Sequence, residues 1–308
     1  MGRILNNVLE SIGHTPLIRV NKLVPPNVEI LVKAESFNPG GSSKDRVGLN
    51  MIEEAEKAGL LKKGGLIVEP TSGNTGVGLA LASAVKGYKL VLTMPDSMSM
   101  ERRKLLAAYG AKIVLTPGAE GMKGAIDAAQ KILKENPGSF MPQQFENEAN
   151  PAIHEKTTAE EILEDTGGKV DYFIACVGTG GTLTGTARKL KKALPEVKII
   201  AVEPSDSPLL SGGKAGPHKI QGIGANFVPS ILDKSLIDEI MCITTEEAYD
   251  AARLLASKEG ILSGISSGAA MAAAMKKSSD PLMQNKRIIV LLPDTGERYL
   301  SCDLFSAN

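Results

Sequence analysis

The chain has 308 residues, 43% hydrophobic and 23% charged, and its 35 basic and 35 acidic side chains give a formal net charge of zero. That balance argues against a nucleic-acid partner, because such proteins carry an excess of basic charge, and 4% aromatic residues with no Trp offer little base stacking. Apolar runs such as 77–85 are shorter than the ~18 residues of a membrane span, and the first ten residues lack a secretory signal's apolar core.

The cysteine pattern predicts a reducing compartment. Cys176, Cys242 and Cys302 lie far apart in the sequence and form no CxxC pair. A sparse, odd set of this kind is typical of reduced thiols, and it indicates neither a disulfide framework nor a zinc site. We therefore expect a cytoplasmic globular protein, and at roughly 150 residues per domain the length predicts two domains.

Short aliphatic and β-branched runs predict strands along the chain. Two early runs, 17–20 and 29–33, are expected at the edge of a sheet. The later runs are almost continuously apolar, which is typical of parallel strands buried on both faces; they are 65–69, 89–94, 112–116, 172–177, 198–203 and 287–292. Helical segments are expected at 47–58, 74–86, 101–109, 122–135, 182–193 and 245–259, and from Ala269 onward. This alternation predicts a doubly wound α/β fold with right-handed crossovers.

A domain boundary is predicted at residues 143–151, where the sequence QQFENEANP is polar and has no hydrophobic periodicity. Two α/β domains of this kind would leave a cleft between them. Ligand groups in such folds lie at the carboxyl ends of the parallel strands, so the turns that follow strands are the segments to inspect.

The first such turn carries a lysine. The segment NPGGSSKDR, residues 38–46, leads into the first predicted helix, with Ser42 or Ser43 as the expected N-cap and Lys44 in the first helical turn. The partial positive charge of a helix N-terminus, together with burial, leaves a lysine with more free amine for nucleophilic or base chemistry. Taken alone, a lysine at this place is more commonly a solvated side chain, with Asp45 compensating the helix dipole.

Three further turns lie between a strand and a helix. TSGNTGVG, residues 71–78, offers backbone N–H groups and hydroxyls to a carboxylate or phosphate, although a simple capped turn is an equal alternative. GTGGT, residues 178–182, is a glycine-rich anion loop that matches neither GxGxxG nor a Walker A loop, so it favours a phosphorylated cofactor smaller than a dinucleotide. GISSG, residues 264–268, precedes the alanine-rich helix, and its serines alone indicate no more than caps.

In this order, the lysine turn, SGNTG, GTGGT and GISSG resemble the pyridoxal-phosphate enzymes of the β-family (fold type II), and within it the cysteine synthase/cystathionine β-synthase family. The resemblance covers nearly the whole chain, from IGHTPLIRV at 12–20 to LPDTGERYLS at 292–301. Departures are small: the family often has Val at Ser43, Asn or Arg at His14, and Gly at Asn226.

The resemblance implies a tryptophan synthase β-like fold. Two doubly wound domains with mostly parallel sheets would hold pyridoxal 5'-phosphate in the cleft between them. A smaller, mobile domain is expected at residues 35–148, and the other domain is expected from residues 1–34 together with 149–308.

The resemblance also implies roles for individual residues. Lys44 resembles the lysine that forms a Schiff base with the cofactor, and Asn74 resembles the donor to its ring hydroxyl oxygen. Ser266 resembles the partner of the pyridine nitrogen, with Ser267 the weaker candidate. The expected phosphate loop consists of Gly178, Thr179, Gly180, Gly181 and Thr182. The expected substrate-binding residues are Thr71, Ser72, Gly73, Thr75 and Gln144 around the α-carboxylate, and Gly222 near the substrate entrance with Gly224.

The implied reaction is a ping-pong β-replacement. O-acetyl-L-serine and sulfide would give L-cysteine and acetate through an α-aminoacrylate, with Lys44 as the general base. Two alternatives stay open: condensation of serine with homocysteine, as in cystathionine β-synthase, and a non-catalytic regulatory homologue. A homodimer and an interaction with the C-terminal tail of serine acetyltransferase are also implied. No metal is expected, because His14, His154 and His218 have no paired metal spacing and are expected to be structural or loop residues.

Overall fold

The computed structural model describes residues 4–306. The chain folds into two compact units. The first unit contains the described residues up to Ile12 together with Asn38–Asn150, and the second contains Gly13–Phe37 together with the chain from Pro151 onward. The sequence-based division differs from this grouping for residues 4–12, 35–37 and 149–150. In the first of these segments, the 3-10 turn Val8–Ser11 packs against the helix Asn74–Lys86 of the first unit.

Strands and α-helices alternate along the described residues. The strands are β1 (Leu17–Val20), β2 (Glu29–Ala34), β3 (Leu66–Pro70), β4 (Lys89–Pro95), β5 (Lys112–Thr116), β6 (Tyr172–Cys176), β7 (Lys198–Pro204), β8 (Glu239–Ile243) and β9 (Arg287–Leu292). The α-helices are α1 (Lys44–Lys57), α2 (Asn74–Lys86), α3 (Met100–Ala108), α4 (Gly121–Glu135), α5 (Ala149–Ile153), α6 (Ala159–Thr166), α7 (Gly181–Ala193), α8 (Thr245–Leu254) and α9 (Ile265–Ser278). Two π-helical turns join this series, His154–Thr158 between α5 and α6 and Leu255–Glu259 after α8.

The second unit is built on a six-stranded sheet of order β1-β2-β9-β6-β7-β8. β1 lies at one edge and runs antiparallel to β2, whereas the other neighbours pair in parallel. Every residue of β9 after Arg287 and of β7 after Lys198 is buried, because α8 and α9 pack on one face and α6 and α7 on the other. The predicted α/β fold with a parallel sheet core is confirmed.

Strand β8 corrects the sequence-based prediction, which places no strand between residues 203 and 287. It pairs in parallel with β7 at the other edge of the sheet. Four of its five side chains are only half-buried, and they include Glu239 and Cys242. An edge strand needs no continuous apolar run, so its sequence gives a weak signal.

The first unit contains a three-stranded parallel sheet of order β3-β4-β5. Helix α4 packs on β3 and β4 through a small apolar cluster that includes Val68, Val91 and Ala129. The loop after β3 leads into α2, just as the loop after β6 leads into α7 in the second unit. Both loops therefore follow the carboxyl end of a parallel strand, where α/β folds bind their ligands.

Two local features refine the expectations. Helix α9 begins at Ile265, four residues before the expected Ala269, because Gly264 provides an extended N-cap, and Ser266 and Ser267 consequently lie in the first helical turn. His14 and Asn226 have positive φ values of 48° and 63°. This left-handed conformation is easiest for Gly and Asn. The resembling family often has Gly at Asn226, and it often has Asn or Arg at His14.

No helix within residues 4–306 is both long and apolar enough to cross a membrane. Across the same part of the chain, the His, Cys, Asp and Glu side chains form no cluster that could hold a metal ion. Cys176, Cys242 and Cys302 are free thiols.

Candidate active site

Lys44 is the first residue of α1, which confirms its predicted place in the first helical turn. Ser43 occupies the N-cap position without a side-chain capping bond, whereas the Ser42 hydroxyl accepts a hydrogen bond from the Lys44 N–H at 3.2 Å. The turn before the helix is held by Asp45, whose buried carboxylate accepts a hydrogen bond from the Gly40 N–H at 2.5 Å. The backbone at Lys44 is thus fixed from both sides.

Two glycines bring the backbones of α1 and α2 into contact. A Cβ atom on Gly78 would overlap the Lys44 carbonyl oxygen, and a Cβ on Gly48 would lie 2.5 Å from the Gly78 carbonyl carbon. Gly78 is one helical turn after Asn74, or about 6 Å along the axis at ~1.5 Å per residue. This contact therefore sets the position of Lys44 relative to the start of α2, where the SGNTG motif lies.

The loop between β3 and α2 ends in an N-cap residue that has no side chain with which to cap the helix. Gly73 is the extended N-cap, and its own N–H donates to the Thr71 hydroxyl at 3.3 Å. The Thr75 hydroxyl donates to the Gln144 side-chain oxygen at 2.5 Å, and both side chains are buried. The structure thus joins Thr75 to Gln144, residues far apart in sequence, beside a helix N-terminus that favours an anion.

Glu69 supports this loop from within the sheet. It lies near the end of β3, is 2% exposed, and accepts hydrogen bonds from the Gln143 N–H at 3.0 Å and the Gln144 N–H at 3.2 Å. Burial raises the pKa of the Glu69 carboxyl to about 7, and the two backbone N–H groups oppose that rise. The sequence reasoning assigns no role to Glu69, although a carboxylate at the end of an apolar strand is itself a signal.

In the second unit, the GTGGT loop has room for backbone only. Gly180 is the N-cap of α7 with a left-handed φ of 84°. A Cβ on Gly180 would lie 2.8 Å from Leu232 Cβ, and one on Gly178 would overlap the Gly222 carbonyl oxygen. The Thr179 hydroxyl accepts from the Gly181 N–H at 3.4 Å. The loop presents backbone N–H groups and hydroxyls, the donor set that a phosphate requires.

His154 contacts the end of this loop, which the sequence reasoning missed. The Thr182 hydroxyl lies 3.1 Å from His154 Nε2, and His154 Nδ1 lies 2.9 Å from the Thr158 hydroxyl. The imidazole is fully buried in the π-helical turn. His154 is expected to be a structural or loop residue because it has no paired metal spacing, and the sequence does not predict its contact with the distant Thr182. Only the packing of the π-helical turn against α7 brings the two side chains together.

The two serines of GISSG have different surroundings. A Cβ built on Gly222 would lie 3.7 Å from the Ser266 hydroxyl oxygen, so Gly222 and Ser266 are neighbours. The Ser267 hydroxyl instead donates to the Asp294 carbonyl oxygen at 3.4 Å. Cys176, the last residue of β6, donates its thiol to the Ser266 carbonyl oxygen at 3.2 Å, and burial raises the pKa of that thiol. Ser266 is therefore the serine that neighbours Gly222, which in turn contacts Gly178 of the GTGGT loop.

Comparisons with known proteins point in one direction. A model of the family described as pyridoxal-phosphate dependent enzymes matches residues 8–294. Cysteine synthase A of Escherichia coli (strain K12) is 56% identical, over 99% of this chain and 97% of its own length. The crystal structure of cysteine synthase from Entamoeba histolytica superposes with a TM-score of 0.96 at 47% identity, covering 99% of this chain and 92% of that chain. The crystal structure of an O-acetylserine dependent cystathionine β-synthase from Helicobacter pylori superposes with a TM-score of 0.92 at 39% identity, covering 99% of this chain and 100% of that chain.

Proposed function

The chain belongs to the family of pyridoxal-phosphate dependent enzymes, and we propose that it is a cysteine synthase, a transferase that converts O-acetyl-L-serine and sulfide into L-cysteine and acetate. The observation that carries this proposal is 56% identity to a cysteine synthase along 99% of the chain. A non-catalytic homologue is disfavoured, because Lys44, both glycine-rich loops and Gln144 are all present and positioned by specific contacts.

The donor groups fit pyridoxal 5'-phosphate. The GTGGT loop (Gly178, Thr179, Gly180, Gly181 and Thr182) has the N–H groups and hydroxyls for the phosphate, and two of its glycines lie where a side chain would not fit. We assign Lys44 as the covalent attachment point, Asn74 as the donor to the ring hydroxyl oxygen, and Ser266 as the partner of the ring nitrogen. When bound, the cofactor supplies an electron sink for the bonds at the substrate Cα atom.

Ser266 favours elimination chemistry. Its neutral hydroxyl can share a hydrogen bond with the ring nitrogen, but unlike a carboxylate it cannot hold a proton there. The weaker electron withdrawal disfavours a long-lived carbanion at Cα. Loss of the acetate group from Cβ then becomes the easier outcome, ahead of transamination or racemisation.

The remaining residues bind the substrate and move its proton. Thr71, Ser72, Gly73, Thr75 and Gln144 would hold the α-carboxylate at the start of α2, where the helix dipole favours an anion. Gly222 would lie near the substrate entrance. The Lys44 amine, once released from the cofactor by the substrate amine, would remove the Cα proton and later return it after sulfide has added.

A substrate comparison tests this function. The purified holoenzyme should form L-cysteine from O-acetylserine and sulfide faster than it forms cystathionine from O-acetylserine or serine with homocysteine. The pairing of O-acetylserine with homocysteine is needed because the Helicobacter pylori relative is described as an O-acetylserine dependent cystathionine β-synthase. Faster cystathionine formation would replace the proposal with its alternative, and no product from any pair would favour a regulatory role.

Replacing Ser266 and Ser267 by alanine, one at a time, should show which of the two contacts the cofactor. We expect Ser266→Ala to lower kcat about tenfold and to change the visible absorbance of the holoenzyme, because a hydrogen bond to the cofactor of about 1.4 kcal/mol is lost. Ser267→Ala is the matched control, since Ser267 instead donates to the Asp294 carbonyl oxygen. Equal effects of the two changes on the absorbance spectrum would show that Ser266 has no special place at the cofactor.

Other expectations still rest on the resemblance alone, and we propose them on that basis. They are a homodimer in the cytoplasm, an interaction with the C-terminal tail of serine acetyltransferase, and a mobile domain at residues 35–148.

A further inference from the structure

Glu69 is a buried carboxylate that the proposed reaction does not use. It lies near the end of β3, and both of its carboxylate oxygens accept hydrogen bonds from the backbone of the segment that carries a substrate-binding side chain. Oε2 accepts from the Gln143 N–H at 3.0 Å, and Oε1 accepts from the Gln144 N–H at 3.2 Å. Within residues 4–306, Glu69 has no ion-pair partner, and the two backbone N–H groups are the donors that hold its carboxylate in place.

The backbone that Glu69 holds is strained. Gln143 has a positive φ of 54°, a left-handed conformation that a residue with a Cβ atom adopts only under constraint. The next residue is Gln144, whose side-chain oxygen accepts from the Thr75 hydroxyl at 2.5 Å. Contacts thus run without a break from Glu69 through the 143–144 backbone to the Gln144 amide and Thr75.

We propose that the ionised Glu69 carboxylate is a positioning residue for the substrate-carboxylate site, and that protonation of Glu69 weakens substrate binding by releasing the backbone at Gln143 and Gln144. This inference rests on the proposed function, because it takes Thr75 and Gln144 as ligands of the O-acetylserine carboxylate. A carboxylate with two accepting oxygens matches two N–H groups, whereas a protonated carboxyl turns one acceptor into a donor that faces an N–H.

The surroundings of Glu69 set the direction of the pH dependence. Its cross-strand neighbour on β4 is the buried Leu92, and the charged side chains of α4, which packs on β3, are exposed. The nearest acidic group on the 140–147 segment is Glu146, which is exposed and bonds the Gln143 side-chain amide at 3.3 Å. Burial raises the pKa of Glu69 to about 7. Glu69 is therefore mostly ionised at pH 8 and mostly protonated at pH 6, so binding should weaken as pH falls.

The test is the KM for O-acetylserine between pH 6 and pH 7.8 in the wild-type holoenzyme and in Glu69→Gln. The amide mimics the protonated carboxyl, since it offers one acceptor and one donor. We expect the variant's KM to be about tenfold higher than that of the wild type at pH 7.8 but within about twofold of it at pH 6, with kcat changing less than KM. Ionisation of the substrate amine and of Lys44 affects both proteins alike, so it cancels in the ratio of the variant's KM to the wild-type KM at each pH.

Glu203→Gln is the matched control. Glu203 is also 2% exposed and near the end of a parallel strand, where it accepts from the Leu210 N–H at 2.7 Å and the Ser211 N–H at 2.9 Å. A general cost of removing such a carboxylate should appear in both variants, whereas the pH-dependent KM ratio should appear only in Glu69→Gln. Gln143→Gly provides a second measurement if Glu69→Gln fails to fold, because glycine removes the strain and should flatten the wild-type pH dependence of KM.

A KM ratio that stays constant with pH, or the same ratio in both Glu variants, would overturn the role of Glu69. So would an unaltered pH dependence of KM in Gln143→Gly. In each case the wild-type enzyme still makes cysteine faster than cystathionine, so this failure differs from failure of the proposed function, in which cystathionine forms faster or no product forms.

Discussion

Replacing Lys44 with alanine is expected to lower kcat/KM for cysteine formation by at least about 10⁴-fold. The variant would lose both the covalent link to the cofactor and the base that moves the Cα proton, and groups of this kind contribute factors of this size. The backbone should keep its position, because alanine retains both backbone contacts of Lys44: its N–H bonds Ser42 and its carbonyl oxygen packs on Gly78.

Lys57→Ala is the control for this change. Lys57 ends the same helix, is largely exposed, and pairs with Glu54 at 2.7 Å, so its removal should leave activity near the wild-type value. Borohydride reduction of the wild-type holoenzyme, followed by peptide mass spectrometry, should place the reduced cofactor on the peptide that contains Lys44. An adduct on another peptide, or full activity in Lys44→Ala, would remove the basis of the proposed site.

Gly78→Ala is expected to reduce kcat/KM about 100-fold, although Gly78 itself has no side chain to contribute. The added methyl group would overlap the Lys44 carbonyl oxygen and would force α1 and α2 apart. A displacement of about 1 Å at a reacting group can cost about 100-fold in rate, and overpacking of this kind costs about 1–3 kcal/mol of stability. Steady-state kinetics and thermal unfolding of the same preparation would measure both effects.

Gly124→Ala controls for the general effect of adding a methyl group to a helical glycine. In α4, the three atoms nearest to the added Cβ all belong to the Glu120 side chain, with its Cβ at 2.7 Å, so Glu120 must shift. Any loss of stability in this variant therefore measures crowding away from Lys44, and kcat/KM should stay near the wild-type value. Wild-type kcat/KM in Gly78→Ala would show that the α1–α2 contact does not set the position of Lys44.

The local motifs are the part of the site that the sequence predicts well. The function of a glycine-rich turn between a strand and a helix can be predicted from a few consecutive residues, because neighbouring backbone N–H groups bind the anion. The apolar runs of β7 and β9 likewise predict buried parallel strands, because a strand that is buried on both faces of a sheet needs apolar side chains at nearly every position. The edge strand β8 lacks that constraint and is found only in the structure.

Contacts between distant segments are the part that the sequence does not predict. Gln144 is expected at the site only through the family resemblance, whereas its bond to Thr75 is a tertiary contact. The carboxylate of Glu69 stands out at the end of an apolar strand, but its partners Gln143 and Gln144 cannot be identified from the local sequence. The contact of His154 with Thr182 is likewise found only in the folded chain.

The α/β class, the family and the loops that carry the ligand-binding groups can be identified from the sequence, because buried strands and glycine-rich turns have residue patterns within short segments. The contact of two helix backbones at Gly48 and Gly78, and the buried carboxylate that bonds the strained Gln143, are visible only in the folded chain. These depend on how segments far apart in the chain pack together, and the space left at a glycine or around a carboxylate exists only after that packing is complete.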